Sequence, residues 1–342
     1  MHMLKQIPED FVVQEIPLNE ADKTGDFLVF QVKKKGRNSE DIAAEISSAL
    51  DIQRKYVGYA GNKDKNAVTS QFMSICLKAK VENVLQRLKR VRDCEFTFIG
   101  RSVKPISLGD LKGNHFRIVV RNLEKDLKTD WPVPNYYDEQ RFSQDNVEAG
   151  RAIIKRDFDK AAKLITGHAS TVYSSTMLGR LEQNDAVGAL RCIPKKILKL
   201  YVHSYQSYLF NEAVSRYLKF YGCDEVKYSL GLLRFPRQEV DDIEVPLVGF
   251  GMPEAVNIRL KRIIDELVKR EGITPRDFVI AQIPELSCEG TARRLLAEVH
   301  DLSVGRPEQD DLNPGKKKVV LDFWLEPGCY ATIVVKAVTS HS

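Results

Sequence analysis

The sequence predicts an α+β fold: a mixed or antiparallel sheet with helices packed on one face, interrupted by an inserted, mostly helical block. Three observations predict it. Several β-branched and aromatic runs crowd the N-terminal part, with only two amphipathic helical patterns among them. A doubly wound parallel sheet would need a helix after almost every strand. Pro132 and Pro134, in the run 131–137, then break the pattern, because proline cannot sit in a central ladder, and a long helical stretch follows. Strand-like runs return near the C-terminus.

Taken in order, residues 11–16 and 27–32 read as strands. Lys33, Lys34, Lys35, Gly36 and Arg37 read as a basic turn, and Asn38 or Ser39 can cap the helix that follows. That helix places Ile42, Ile46, Ala49 and Leu50 on one face. Residues 56–60 and 71–77 are strand-like, 81–91 is helical, and 95–103 and 115–120 are strands. Beyond the prolines, 147–165, 195–220, 255–271 and 291–299 read as helices, and 246–253 as a glycine-bearing loop. Residues 319–325 and 331–338 read as closing strands. The expected domains are 1–138, an insert 139–302, and a returning segment 303–342.

At 342 residues and 38.9 kDa the chain can bury a sizeable core, and its length fits two domains. A net charge of +5 is compatible with RNA binding without demonstrating it. The six cysteines contain no C-x-x-C pair, and the six histidines are equally dispersed, which argues for reduced thiols and against a zinc site. The first residues carry charges and no apolar core of a leader, and no window approaches the roughly 20 apolar residues of a membrane span. A soluble, cytoplasmic protein is expected.

The most informative stretch is 57–71. It puts Asp64 at the tip of a glycine-bearing loop between two strand-like runs, with Lys63 and Lys65 on either side. A carboxylate among cations suits a nucleophile or base, and the cations suit an anionic substrate.

Gly61, Lys63, Asp64, Ala67, Thr69 and Gln71 match G-x-K-D-x-x-A-x-T-x-Q, and here the chain resembles the TruD family of tRNA pseudouridine synthases. Further segments carry the resemblance over most of the chain. Lys5 precedes Asp10, Phe11, Val13 and Glu15, as in the family's lysine before D-F-x-V-x-E. Gly113, Asn114 and Phe116 match G-N-x-F. Residues 134–143 resemble P-N-Y-F-G-x-Q-R-F-G, with Asp138 and Ser143 replacing glycines. Residues 203–211 resemble a family helix, and 323–332 resemble the family's L-P-x-G-x-[FY]-A-T strand entry with a shorter spacing, which would put Tyr330 and Thr332 near the site.

The resemblance implies a pseudouridine synthase catalytic domain with an inserted TRUD domain that closes a cleft and grips tRNA by shape and phosphate charge. It implies Asp64 as the catalytic residue and uridine 13 of tRNA as the usual target. Asn114 would hold the base edge and Phe116 would stack on the base. Lys5, Phe11 and Glu15 would lie near the site, Lys5 and Glu15 as a supporting pair. Lys63 would tune the charge of Asp64 or hold the backbone. Arg141 would pair with a phosphate or an acid. Read alone, Phe11 is better taken as a core residue of an amphipathic strand, and Phe116 is at least equally well the start of a buried strand and Asn114 a turn residue. Among the basic runs, 33–37 is the preferred phosphate contact over 87–92. The isomerisation recycles every atom, so no cofactor or metal is expected, and the working form is read as a monomer. Two other classes stand beside this reading: a non-catalytic RNA-binding protein, and a nucleoside glycosidase, for which Glu15 is the obvious second carboxylate.

Overall fold

The computed structural model of the chain describes residues 2–125, 127, 132–143, 145–168 and 173–340. In chain order the elements are β1 (Phe11–Pro17), β2 (Phe27–Lys35), α1 (Ser39–Leu50), β3 (Val57–Tyr59), β4 (Val68–Cys76), α2 (Val81–Leu88), β5 (Cys94–Ser102) and β6 (Leu111–Leu123). There follow α3 (Asn146–Ile154), α4 (Phe158–His168), α5 (Ser174–Glu182), α6 (Ala186–Arg191), α7 (Lys195–Leu218), β7 (Cys223–Tyr228), β8 (Gly231–Pro236), β9 (Glu244–Pro246), α8 (Ile258–Glu271) and β10 (Ala292–Arg294). The chain closes with β11 (Val299–Val304), β12 (Glu308–Gln309), β13 (Lys317–Leu325) and α9 (Ala331–Ser340).

Two compact units result. The first holds residues 1–129 and 298–331, the second 130–297 and 332–341. In the first, a nine-stranded sheet runs β11-β13-β6-β1-β4-β2-β5, with β12 on β13 and β3 on β4. The β1–β4 pair is parallel and the other pairs are antiparallel, so the sheet is mixed. α1 and α2 cover one face. Leu28, Phe30 and Val32 of β2 and Met73 and Ile75 of β4 point at Ile42, Ile46 and Leu50 of α1 and Val84 and Leu88 of α2. Strand alternation meeting helical periodicity makes this core. Asn38 caps α1 by accepting from Asp41 N at 2.8 Å, as the sequence leads one to expect.

The second unit is mostly helical and built round α7, whose Leu198, Val202, Tyr205, Leu209 and Phe210 are all buried. Here and at the C-terminus the structure departs from the sequence reading. The helix expected over 147–165 is two helices, because Arg156 takes φ 63° and Asp157 N turns back to Ala152 O at 2.9 Å. The stretch 291–299, read as a helix, supplies β10, paired with β9, and the start of β11. The stretch 331–338, read as a strand, is α9, and it groups with the second unit rather than with the sheet. Its apolar run is buried almost throughout, so periodicity alone does not separate helix from strand. Lys33, Lys34 and Lys35 are still in β2, and the turn begins at Gly36. Trp131, part of the expected linker, lies outside the described residues.

Candidate active site

Residues 60–67 link β3 to β4 and carry Asp64. The loop is tied to the start of α1. Lys63 N donates to Ser39 Oγ at 3.0 Å, Ser39 Oγ donates to Gln71 Oε1 at 2.6 Å, and Gln71 Nε2 reaches Gly61 O at 3.4 Å. From the other side Lys34 Nζ donates to Asp64 O at 3.0 Å, to Lys63 O at 3.3 Å and to Arg37 O. Burial pushes the Lys34 ammonium down to about 8, against the pull of the Asp64 carboxylate. The Asp64 side chain remains 34% exposed, and its Oδ2 receives Lys5 Nζ at 2.5 Å.

Lys5 takes a left-handed backbone, φ 54°, which a lysine rarely adopts. Such strain persists where surroundings over-determine it, often at functional sites. Its Nζ lies 4.1 Å from the centre of the Phe11 ring. Phe11 meets Phe116 edge-on at 6.1 Å, and Phe116 stacks on Phe323 at 5.6 Å. The register makes this row: Val13 opposes Phe116, which opposes Phe323, and Glu15 opposes Asn114. Asn114 therefore sits within β6 rather than in a turn.

Glu15 accepts from Lys63 Nζ and from Phe72 N, the latter at 3.1 Å. Lys63 and Glu15 side chains are 5% and 1% exposed. The supporting pairs are thus Lys5–Asp64 and Lys63–Glu15, not Lys5–Glu15 as the sequence reading had it. The reason is distance: four strand steps, about 13 Å, separate Phe11, under which Lys5 is held, from Glu15. Asn114 Oδ1 is buried with no hydrogen-bond partner among the described residues. Such an atom is costly unless something else supplies a donor. Glu15 and Phe72 also line a cavity of about 680 Å³, with Val29, Lys104, Ile106 and Asp110 on its other walls. That volume is in the range of small-ligand sites.

Arg141 belongs to the second unit. Its Nε donates to Ser207 Oγ at 3.3 Å, its carbonyl accepts from Ser204 Oγ at 2.8 Å, and its guanidinium lies 5.8 Å from the Tyr137 ring. Asp138 and Ser143, in place of the family's glycines, have φ of −99° and −55°, so neither position asks for a left-handed backbone. Thr332, placed near the site by resemblance, starts the part of α9 that groups with the second unit. The preferred phosphate-contact run is largely neutralised: Lys33 pairs with Glu95 at 3.8 Å, Lys35 with Glu9 at 2.5 Å and Arg37 with Glu45.

Three residues tie the loop in a way the sequence does not show: Lys34, expected in a basic turn as a phosphate contact, Ser39, expected only as a helix cap, and Gln71, part of the motif with no role of its own. Lys34 had a signal, an inward strand position occupied by a lysine. Away from this site, Glu298, His300 and Glu326 hold ligand-type atoms within 4.8 Å of one another, but both carboxylates are exposed, and exposed acids commonly gather without an ion.

The family model for tRNA pseudouridine synthase D (TruD) matches residues 2–176, 168–226 and 237–338. A Methanocaldococcus jannaschii protein named "Probable tRNA pseudouridine synthase D 2" is 31% identical, over 97% of this chain and 90% of its own length. "Probable tRNA pseudouridine synthase D" of Methanosarcina mazei is 29% identical over 97% of this chain and 92% of its own. A solved structure from Methanosarcina mazei, assigned as tRNA pseudouridine synthase D, superposes with a TM-score of 0.72 at 27% identity, covering 98% of this chain and 92% of that one. The chain belongs to the tRNA pseudouridine synthase D (TruD) family, which isomerises uridine in tRNA to pseudouridine.

Proposed function

We propose that Asp64 is the carboxylate that drives this isomerisation, with uridine 13 of tRNA as its target. The observation that carries the reading is the setting of Asp64. It is a partly exposed acid on a loop tied from three directions, with Lys5 on one oxygen. The reaction breaks the bond from uracil N1 to the ribose C1′, turns the base, and joins C5 to C1′. The C5 proton leaves and N1 gains one. No electrons or outside groups are exchanged, so neither metal nor organic cofactor takes part. Asp64 serves either by adding covalently to the nucleoside or by removing a sugar proton.

The target base is flipped out of the RNA to reach the site. Asn114 Oδ1, buried and without a partner among the described residues, is an acceptor suited to the N3–H of uracil. Phe116 supplies the flat face beside it. Lys5 orients the Asp64 carboxylate, and Lys63 with Glu15 fixes the loop to β1. Arg141 and the helical unit hold the tRNA backbone. The enzyme acts as a monomer in the cytoplasm.

The glycosidase alternative needs a second free carboxylate. Glu15 is committed to Lys63 and Phe72 N and is almost fully buried, which disfavours it. The test is nearest-neighbour mapping of modified uridines in tRNA transcripts with uridine or cytidine at position 13. Pseudouridine confined to the uridine-13 transcript supports the reading. Modification of both, or release of free uracil, overturns it.

A further inference from the structure

Lys34 ends a row of inward-facing residues on β2. Leu28, Phe30 and Val32 precede it on the face covered by α1, and Lys34 itself is 1% exposed. A methionine would continue that row without burying a charge. A buried ammonium is costly unless well partnered, and the partners here are carbonyls rather than a carboxylate. What lysine alone brings is three N–H donors. All three are used, on the main-chain oxygens of Arg37, Lys63 and Asp64. Two of those oxygens belong to the loop that carries the reacting acid. The third belongs to the turn before α1, whose Ser39 holds the same loop from the other side.

We propose that Lys34 is a positioning residue for the isomerisation: its buried ammonium fixes the Asp64 loop by its carbonyls and so sets where the Asp64 carboxylate meets the flipped uridine. The proposal rests on Asp64 as the catalytic carboxylate. Lys34 touches no substrate in this account and acts through the loop alone. It should therefore govern the rate of the bound complex and leave tRNA affinity as it is.

The experiment compares single-turnover isomerisation and tRNA affinity for the wild type, Lys34→Met, Lys34→Ala and Asp64→Asn. Lys34→Met is expected to lose about 100-fold in rate, the cost of misplacing a reacting group by about an ångström. Its tRNA Kd should equal that of the wild type. Added ethylammonium should restore rate to Lys34→Ala in a concentration-dependent way. In the wild type, which requires no variant to fold, ¹⁵N-labelled Lys34 should give a slowly exchanging ammonium signal. A folded Lys34→Met at wild-type rate beside an inactive Asp64→Asn overturns this proposal alone, as does a rapidly exchanging Lys34 ammonium. An active Asp64→Asn overturns the reading beneath it.

Discussion

The first unit contains two buried or half-buried charge networks that solve different problems. Arg121 is 3% exposed and donates to Asp10 at 2.8 Å, Asp310 at 2.7 Å and Asp311 at 2.9 Å. The acids are finished off by other donors. Ile7 N reaches Asp10, and Asn122 N, Leu312 N and Asn313 Nδ2 all reach Asp310. The Asp64 network is not closed in this way. Asp64 keeps a third of its side chain in the open, and Asn114 Oδ1 has no partner among the described residues. A closed network joins the N-terminal turn, β6 and the segment before β13 into one unit. An open one keeps polar atoms available for a substrate.

The largest stability effect should come from the closed network. Arg121→Met leaves buried acids unpaired and should cost about 3–5 kcal/mol in denaturant unfolding. The rate per folded molecule should stay at the wild-type level. Burial alone would raise the Asp310 carboxyl, but its hydrogen bonds from Asn122 N, Asn313, Leu312 N and Arg121 hold it well below the usual carboxylate range. A group depressed on folding stabilises above its unfolded pKa. Wild-type stability should therefore fall as pH drops below about 4. Arg121→Met should flatten that acid limb. An unchanged acid limb in the variant would remove Arg121 from the account.

Opening the comparison from the other side gives a smaller effect. Asn114→Ala removes an oxygen that has no partner among the described residues, so thermal stability should hold or rise slightly. The rate with tRNA should drop by about 1–3 kcal/mol, or roughly 5- to 150-fold, the cost of an unmade hydrogen bond to a buried group. A stability loss with full activity would make Asn114 structural.

The smallest effect concerns the two basic runs. Lys33, Lys35 and Arg37 are paired with acids, while the exposed Lys89, Arg90 and Arg92 form no ion pair among the described residues. Phosphate contact should thus fall on the second run. Replacing Lys89 with Gln should lower the salt slope of tRNA binding by somewhat under one unit, about 0.7–0.9 per lost contact. Lys33→Gln should leave the slope unchanged. The reverse result would restore the sequence-based preference.

Much of the first unit was legible because its strands alternate and its motifs are local. Asp64 stands in a short run that already places it on the loop between β3 and β4, whereas Asn114, which reads alone as a turn residue, lies within β6. The pairing of charges was not legible. Lys5, Glu15 and Lys63 lie far apart in sequence, and strand register decides who meets whom. Lys34 was hidden among neighbouring lysines, although alternation on β2 already pointed it inward. In the second unit, the break at Arg156 and the helical state of α9 depend on tertiary packing that a short apolar run does not encode.

The most direct test of the account is tritium release from tRNA transcripts labelled at uracil C5, run with the wild type and Asp64→Asn at matched stability and tRNA affinity. Release by the wild type, with the variant slower by about 10⁴-fold or more, is the predicted result for loss of the reacting carboxylate. Comparable release by both proteins would contradict it and move the chemistry to another residue.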